Sequence, residues 1–301
     1  MKQRVIALGF FDGVHVGHGV LLRRTAEEAA QRGCTPAVFT FDRPPKEVVT
    51  GVPCPLINSS ADRRELIREL YGISDVLMVP FDEKMMTTPW DNFVTDLLVG
   101  RYHAVHLVAG HDHHFGHKNL GSPELLKEKC AELGLGCDII PKVEIGGITV
   151  SSTYIRRLIE LGQIERAARY LGHPHILSGT VCHGRSIGHL RLFPTANLEV
   201  PRHVLVPGHG VYCTRVCLPD GSQTAGVTNV GTRPTVHNGT DVSVETFLLG
   251  YDGDLYGQTV RLEFYWRLRD EMHFDSMEEL KAQISADADS TRAYFSLAAK
   301  T

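Results

Sequence analysis

The pattern of apolar residues changes character once along this chain, and that change limits the folds open to it. From residue 4 to about 172, short apolar runs alternate with amphipathic stretches. Val5–Phe10, Pro36–Phe41, Asp75–Pro80, Ala104–Ala109 and Cys137–Pro141 read as strands. Val20–Gln31, Ala61–Tyr71, Asp91–Leu98 and Pro123–Leu133 read as helices. Short buried strands alternating with helices predict a parallel α/β sheet. Two more helices, about Thr153–Leu161 and Ile164–Leu171, are separated by Gly162 and stopped by Gly172.

After His173-Pro174 the helical texture gives way to strands: Gly179–Cys182, Val211–Leu218, Thr224–Asn229, Val242–Leu249 and Thr259–Arg267. Pro219-Asp220-Gly221 marks a turn between two of them. One amphipathic helix follows, with Met277, Leu280 and Ile284 apolar. Asp275 or Ser276 can cap it, with Glu278 or Glu279 three residues on. This predicts a small antiparallel β-barrel with a terminal helix. The expected domains are 1–172 and 173–301.

Composition narrows the function. The 31 basic and 35 acidic residues leave a net charge of −4, so no broad grip on nucleic acid is expected. The opening run to Asp12 is too short for a secretory core, and nowhere does an apolar stretch reach the ~18 residues of a membrane span. The seven cysteines are scattered without a C-x-x-C, which fits reduced thiols in the cytoplasm.

The strongest local signal is Gly9-Phe10-Phe11-Asp12-Gly13-Val14-His15-Val16-Gly17-His18, between the first strand and its helix. Glycines let backbone N–H groups approach a ligand, and a helix N-terminus adds unpaired donors and a positive dipole end. His15 and His18 can both donate to a polyphosphate there. The chemistry served is displacement at phosphorus, which needs positioning and charge stabilisation. No G-x-x-x-x-G-K-[ST] occurs, and the G-x-G-x-x-G begun at Gly17 fails at Leu22.

Gly110-His111-Asp112-His113-His114-Phe115-Gly116-His117 follows a strand at its carboxyl end, where ligands bind in open α/β sheets. Its histidines lack a metal-site spacing, so a polar substrate loop fits better, with an unengaged surface loop as the alternative. Ser151-Ser152-Thr153-Tyr154-Ile155-Arg156 opens a helix; its hydroxyls can cap it or bind an anion, and Arg156 can neutralise a phosphate. In the second half, Thr195 and Asn197 point the same way from a strand and can hold Mg²⁺ on a nucleotide. Glu271 can act as a base toward a hydroxyl.

Together, in this order, the motifs resemble the prokaryotic bifunctional riboflavin kinase/FMN adenylyltransferase family, or FAD synthetases. The resemblance covers essentially the whole chain. G-x-F-D-G-x-H-x-G-H at 9–18, G-x-D-x-x-F-G at 110–116 and S-S-T-x-I-R at 151–156 resemble the nucleotidyltransferase module. F-P-T-A-N at 193–197, N-V-G-T-R-P-T at 229–235, D-L-Y-G at 254–257 and L-R-x-E-x-x-F at 268–274 resemble the kinase barrel. The resemblance implies a Rossmann-like parallel sheet followed by the barrel, with riboflavin, FMN and ATP as substrates and Mg²⁺ as cofactor.

By that resemblance, His15 and His18 stabilise the leaving pyrophosphate, and Ser152, Thr153 and the catalytic Arg156 take ATP phosphates. Gly9, Phe11, Asp12, Gly17, Gly110 and Asp112 line the same site. Thr195 and Asn197 hold the Mg²⁺–nucleotide, and Glu271 deprotonates the riboflavin 5′-hydroxyl.

The chain departs from the family at three places. Arg43-Pro44-Pro45 lacks a histidine, His189 and Leu192 replace an arginine and a glycine, and Phe247 replaces a histidine. A transferase with an impaired kinase, or a non-catalytic flavin- or nucleotide-binding regulator, are the competing readings.

Overall fold

The computed structural model describes residues 2–183, 195–234 and 240–298. Backbone contacts divide it into two compact units, Met1–Leu56 with Ser60–Ser152 and Ile57–Ser59 with Thr153–Thr301.

The first unit is a five-stranded parallel sheet: β1 (Arg4–Leu8), β2 (Thr35–Phe41), β3 (Asp75–Val79), β4 (Ala104–Gly110) and β5 (Gly136–Ile140), in the order β3-β2-β1-β4-β5. β1 lies at the centre, and Val5, Ile6, Ala7 and Leu8 are all buried. Successive strand residues point to opposite faces, so a strand this uniformly apolar must be covered on both. Ile6 and Leu8 join a core with Phe39, Leu107, Phe93, Leu98 and Leu126. Phe93 and Leu98 come from Phe93–Arg101, a π-helix rather than the α-helix expected over 91–98.

The longer α-helices of this unit are α1 (Val16–Arg32), α2 (Ser60–Tyr71) and α3 (Pro123–Glu132). Four polar side chains tie α1 to the sheet. Arg24 bonds Glu28 at 2.5 Å and Asp138 at 2.7 Å, and His106 Nε2 lies 3.1 Å from the same Asp138 oxygen. A Cβ on Gly136 would lie 2.0 Å from His106 Nδ1, so glycine makes room for that ring.

The second unit holds α4 (Ser152–Glu160, all but its first residue), α5 (Ile164–Leu171) and a closed barrel. The barrel strands are β6 (His175–Cys182), β7 (Thr195–Glu199), β8 (Gly210–Cys217), β9 (Gln223–Pro234), β10 (Thr240–Leu248) and β11 (Thr259–Arg269), paired β8-β9-β10-β7-β6-β11. Inside it, the Thr214, Thr228 and Thr246 hydroxyls link at 2.8 and 2.9 Å, so each of the three has a partner. α6 (Met277–Ala298) closes the chain. The Ser276 hydroxyl accepts the Glu279 N–H, and the Glu279 carboxylate accepts the Asp275 N–H.

The division at 152/153 differs from the domain boundary expected at 172/173. α5 packs on β11 and β6. The Gly208 N–H donates to Ile159 O, and a Cβ on Gly208 would sit 2.5 Å from Glu160 O. Ile155, Leu158, Ile164, Tyr170 and Leu171 are all buried. Fully burying one such side chain is worth about 1.5–3 kcal/mol, against a whole-domain margin of about 5–15 kcal/mol. A fragment spanning 153–301 is therefore expected to unfold cooperatively in urea, whereas 176–301 should show no cooperative transition. Equal midpoints for the two would contradict this placement of the helices.

Candidate active sites

The first candidate site starts from the turn joining β1 to α1. Phe11, Gly13 and Val14 have φ of 59°, 81° and 41°, and the Val14 N–H donates to Phe11 O at 3.1 Å. Bulky and β-branched side chains rarely adopt positive φ, which costs on the order of 1–3 kcal/mol per residue. Burial of the Phe11 ring and Val14 side chain offsets it. Gly9 lies under the Phe11 ring, where a Cβ would approach it to 3.0 Å.

The turn delivers His15 to the N-cap of α1, where its Nδ1 accepts the His18 N–H at 3.2 Å. With Nδ1 an acceptor, the neutral ring carries its proton on Nε2. His15 and His18 stack, centroids 3.5 Å apart and planes 11° from parallel. A Cβ on Gly17 would meet the His15 ring at 3.1 Å. Burial, then His15, then Arg63 hold the His18 pKa well below the usual histidine range. Its Nδ1 is buried without a protein partner.

β1 and β4 are neighbours, but the chain leaves β1 toward β2 and leaves β4 toward β5. Such a switch point opens a crevice at the carboxyl ends of the strands. The Gly110–His117 loop leaves β4 there. Asp112 is exposed, and its Oδ1 would lie 3.2 Å from a Cβ on Gly110. The loop's histidines diverge: His113 stacks on Phe115, while ring nitrogens of His114 and His117 face the carbonyls of Asp112 and Met86. Burial lowers the His113 pKa to about 4. The Ser152 hydroxyl donates to the Asp12 carbonyl at 2.9 Å, joining the third motif to the first. Thr153 and Arg156, bonded to each other at 3.3 Å, belong to the second unit.

The second candidate site lies on the barrel's outward face. Ala196 and Leu198 are buried, while Thr195 is exposed and Asn197 half-buried. Asn197 lies opposite Glu245, and Glu245 opposite Asn229. Asn229 Nδ2 is 3.5 Å from Glu271 Oε1, and His209 Nδ1 is 3.9 Å from Oε2. A Cβ on Gly231 would fall 2.1 Å from Oε1, so only glycine leaves Glu271 this place. Before Glu271, Arg267 donates to His209 O at 2.6 Å, and Arg269 anchors to Asp287 of α6 at 2.8 Å.

Residues 1–154 match the FAD synthetase family and residues 171–295 the riboflavin kinase family. The bifunctional riboflavin kinase/FMN adenylyltransferase of Listeria monocytogenes is 33% identical, covering 97% of this chain and 93% of its own. The chain belongs to the bifunctional riboflavin kinase/FMN adenylyltransferase family. The Escherichia coli K12 member is 36% identical over the same shares of both chains. The crystal structure of a Streptococcus pneumoniae protein named for macrolide efflux superposes with a TM-score of 0.84 at 30% identity, covering 97% of this chain and 94% of that one. Among the described residues, no helix is long and apolar enough to cross a membrane.

Within the FAD synthetase segment, the structure brings together Gly9, Phe11, Asp12, His15, Gly17, His18 and Ser152, and sets Gly110 and Asp112 on the neighbouring strand's loop. Pro44 and Pro45, where the family has its histidine, start the short helix Pro45–Thr50. Within the kinase segment, Asn197 connects to Glu271 through the row Glu245–Asn229, while Thr195 lies opposite Phe247. Phe247 packs against the core of Val211, Val227 and Leu249. His189 and Leu192 lie outside the described residues, as do Phe193, Pro194 and Thr235. Sequence reasoning missed Arg63, Glu245, Asn229 as a partner of Glu271, and His209.

His15 caps α1 through its side chain, and losing such a cap costs about 0.5–2 kcal/mol. His15→Ala should destabilise the first unit by about 1 kcal/mol in urea and speed hydrogen exchange at the His18 N–H; His15→Asn should restore both. Unchanged exchange in the alanine variant would contradict the cap.

Proposed function

We propose that the second unit phosphorylates riboflavin to FMN with ATP, and that adenylyl transfer from ATP to FMN is centred on the first unit's His15–His18 pair. The observation that carries this is the stacked pair at a helix N-terminus, on the switch point of the sheet. There an FMN phosphate oxygen attacks the α-phosphorus of ATP. The bond to the bridging oxygen breaks, and its electron pair leaves with pyrophosphate. The α1 N-terminus and the two imidazoles meet that growing negative charge; one such donor is typically worth about a hundred- to a thousand-fold in rate. His18 is neutral before ATP arrives, so it serves as a hydrogen-bond donor. Ser152 takes part of the remaining phosphate charge.

In the barrel, the riboflavin 5′-hydroxyl oxygen attacks the γ-phosphorus of ATP. Its proton passes to Glu271, and ADP carries away the electron pair. Asn229, His209 and the gap at Gly231 aim the carboxylate. Thr195 and Asn197 present the oxygen donors that suit Mg²⁺, beside Glu245. When bound, Mg²⁺ neutralises nucleotide phosphate charge.

Chromatography of flavins made from riboflavin, ATP and Mg²⁺ tests the assignment. His18→Ala should stop FAD formation and leave FMN formation intact. Glu271→Gln should lower FMN formation by about a hundred- to ten-thousand-fold and leave FAD formation from added FMN. Wild-type FAD synthesis by the His18 variant would refute the first assignment, and unchanged FMN synthesis by the Glu271 variant the second. A wild type that makes no FMN would favour the transferase-only reading.

A further inference from the structure

Arg63, on α2, is fully buried. Its Nη1 donates to Phe10 O at 2.7 Å, and its Nη2 to Phe41 O at 2.6 Å. These carbonyls lie at the carboxyl ends of β1 and β2, on the edge that carries the His15–His18 turn. The guanidinium lies over the Phe10 ring, 4.3 Å from its centroid, and Thr40 Oγ1 adds a second donor to Phe10 O at 2.9 Å. Its Nε is buried without a partner. The hydrogen bonds thus go to neutral carbonyls and not to a carboxylate.

For folding alone this is a poor choice. A buried charge costs several kcal/mol in lost hydration, and apolar replacement of buried charges is often neutral or stabilising. Burial draws the Arg63 pKa down to about 10, and Asp12 and Asp42 only partly oppose it. Even so, the group stays cationic at neutral pH.

We propose that Arg63 is a positioning residue for adenylyl transfer: it locks the ends of β1 and β2 and holds a positive charge behind the His15–His18 pair. This rests on the reading of that pair as the pyrophosphate-stabilising group. Arg63 works without touching substrate. Its hydrogen bonds to Phe10 O and Phe41 O fix the turn that aims α1, and misplacement of about 1 Å at such a site can cost a hundred-fold. Its charge opposes protonation of His18, while Asp12 and Asp42 favour the Arg63 cation.

The test uses the full chain, with riboflavin phosphorylation as internal control. Arg63→Met should lower kcat for FAD formation from FMN by about a hundred-fold, leave FMN formation unchanged, and raise the pH at which His18 titrates by histidine NMR. Arg63→Lys keeps the charge but cannot bridge both carbonyls, so transfer should fall by about tenfold or more while His18 titrates as in wild type. A folded Arg63→Met chain with wild-type transfer, or with an unmoved His18 titration, would overturn the proposal. If Arg63→Met does not fold, Arg63→Lys decides: a folded lysine variant with wild-type transfer, or with a shifted His18 titration, overturns it. Loss of transfer in His18→Ala but not in Arg63→Met sinks this proposal alone; transfer surviving in His18→Ala removes its basis.

Discussion

The first unit's chemistry depends on how β1 turns into α1. An apolar central strand must end where the sheet meets solvent, and the next helix must start with its N–H groups facing the same crevice. The chain does this in the few residues from Gly9 to His15, with positive φ at Phe11, Gly13 and Val14. The strain is held by burial of Phe11 and Val14, by Ser152 bonding the Asp12 carbonyl, and by the His15 side chain capping the helix. The His15 Nδ1 thus completes the fold of α1.

The barrel places the Glu271 carboxylate by different means. Glu271 follows a long strand, and no helix dipole aims it. Arg269 is clamped to Asp287 of the terminal helix, Arg267 holds the His209 carbonyl, and Gly231 leaves a gap where any Cβ would collide. Strand register then carries the row from Asn229 through Glu245 to Asn197. Register shifts of one residue would turn this row inward, so the threonine ladder inside the barrel also guards the outward face.

Much of this is legible from sequence because the signals are local. Strand and helix periodicity place every strand of the parallel sheet, and His15, His18, Asn197 and Glu271 sit in short motifs. The rest is decided by distant partners. Ile164–Leu171 has the same helical texture as the helices before it, and nothing in its pattern says that it packs on β6 and β11. Arg63 stands in Ala61-Asp62-Arg63-Arg64-Glu65, which reads as a solvated helix face; its burial follows from Phe10 and Phe41, some 53 and 22 residues away. The tie between Arg24, Glu28, His106 and Asp138 likewise spans four separate positions that carry no joint sequence signal.

If the two reactions are centred on separate side-chain sets in one chain, chains disabled in different sets should complement each other through free FMN. The direct measurement mixes His18→Ala and Glu271→Gln proteins with riboflavin, ATP and Mg²⁺, and follows flavins by chromatography. The account predicts that the first protein alone stops at FMN, the second alone leaves riboflavin almost untouched, and the mixture makes FAD. Conversion of riboflavin to FAD by either variant alone would contradict it.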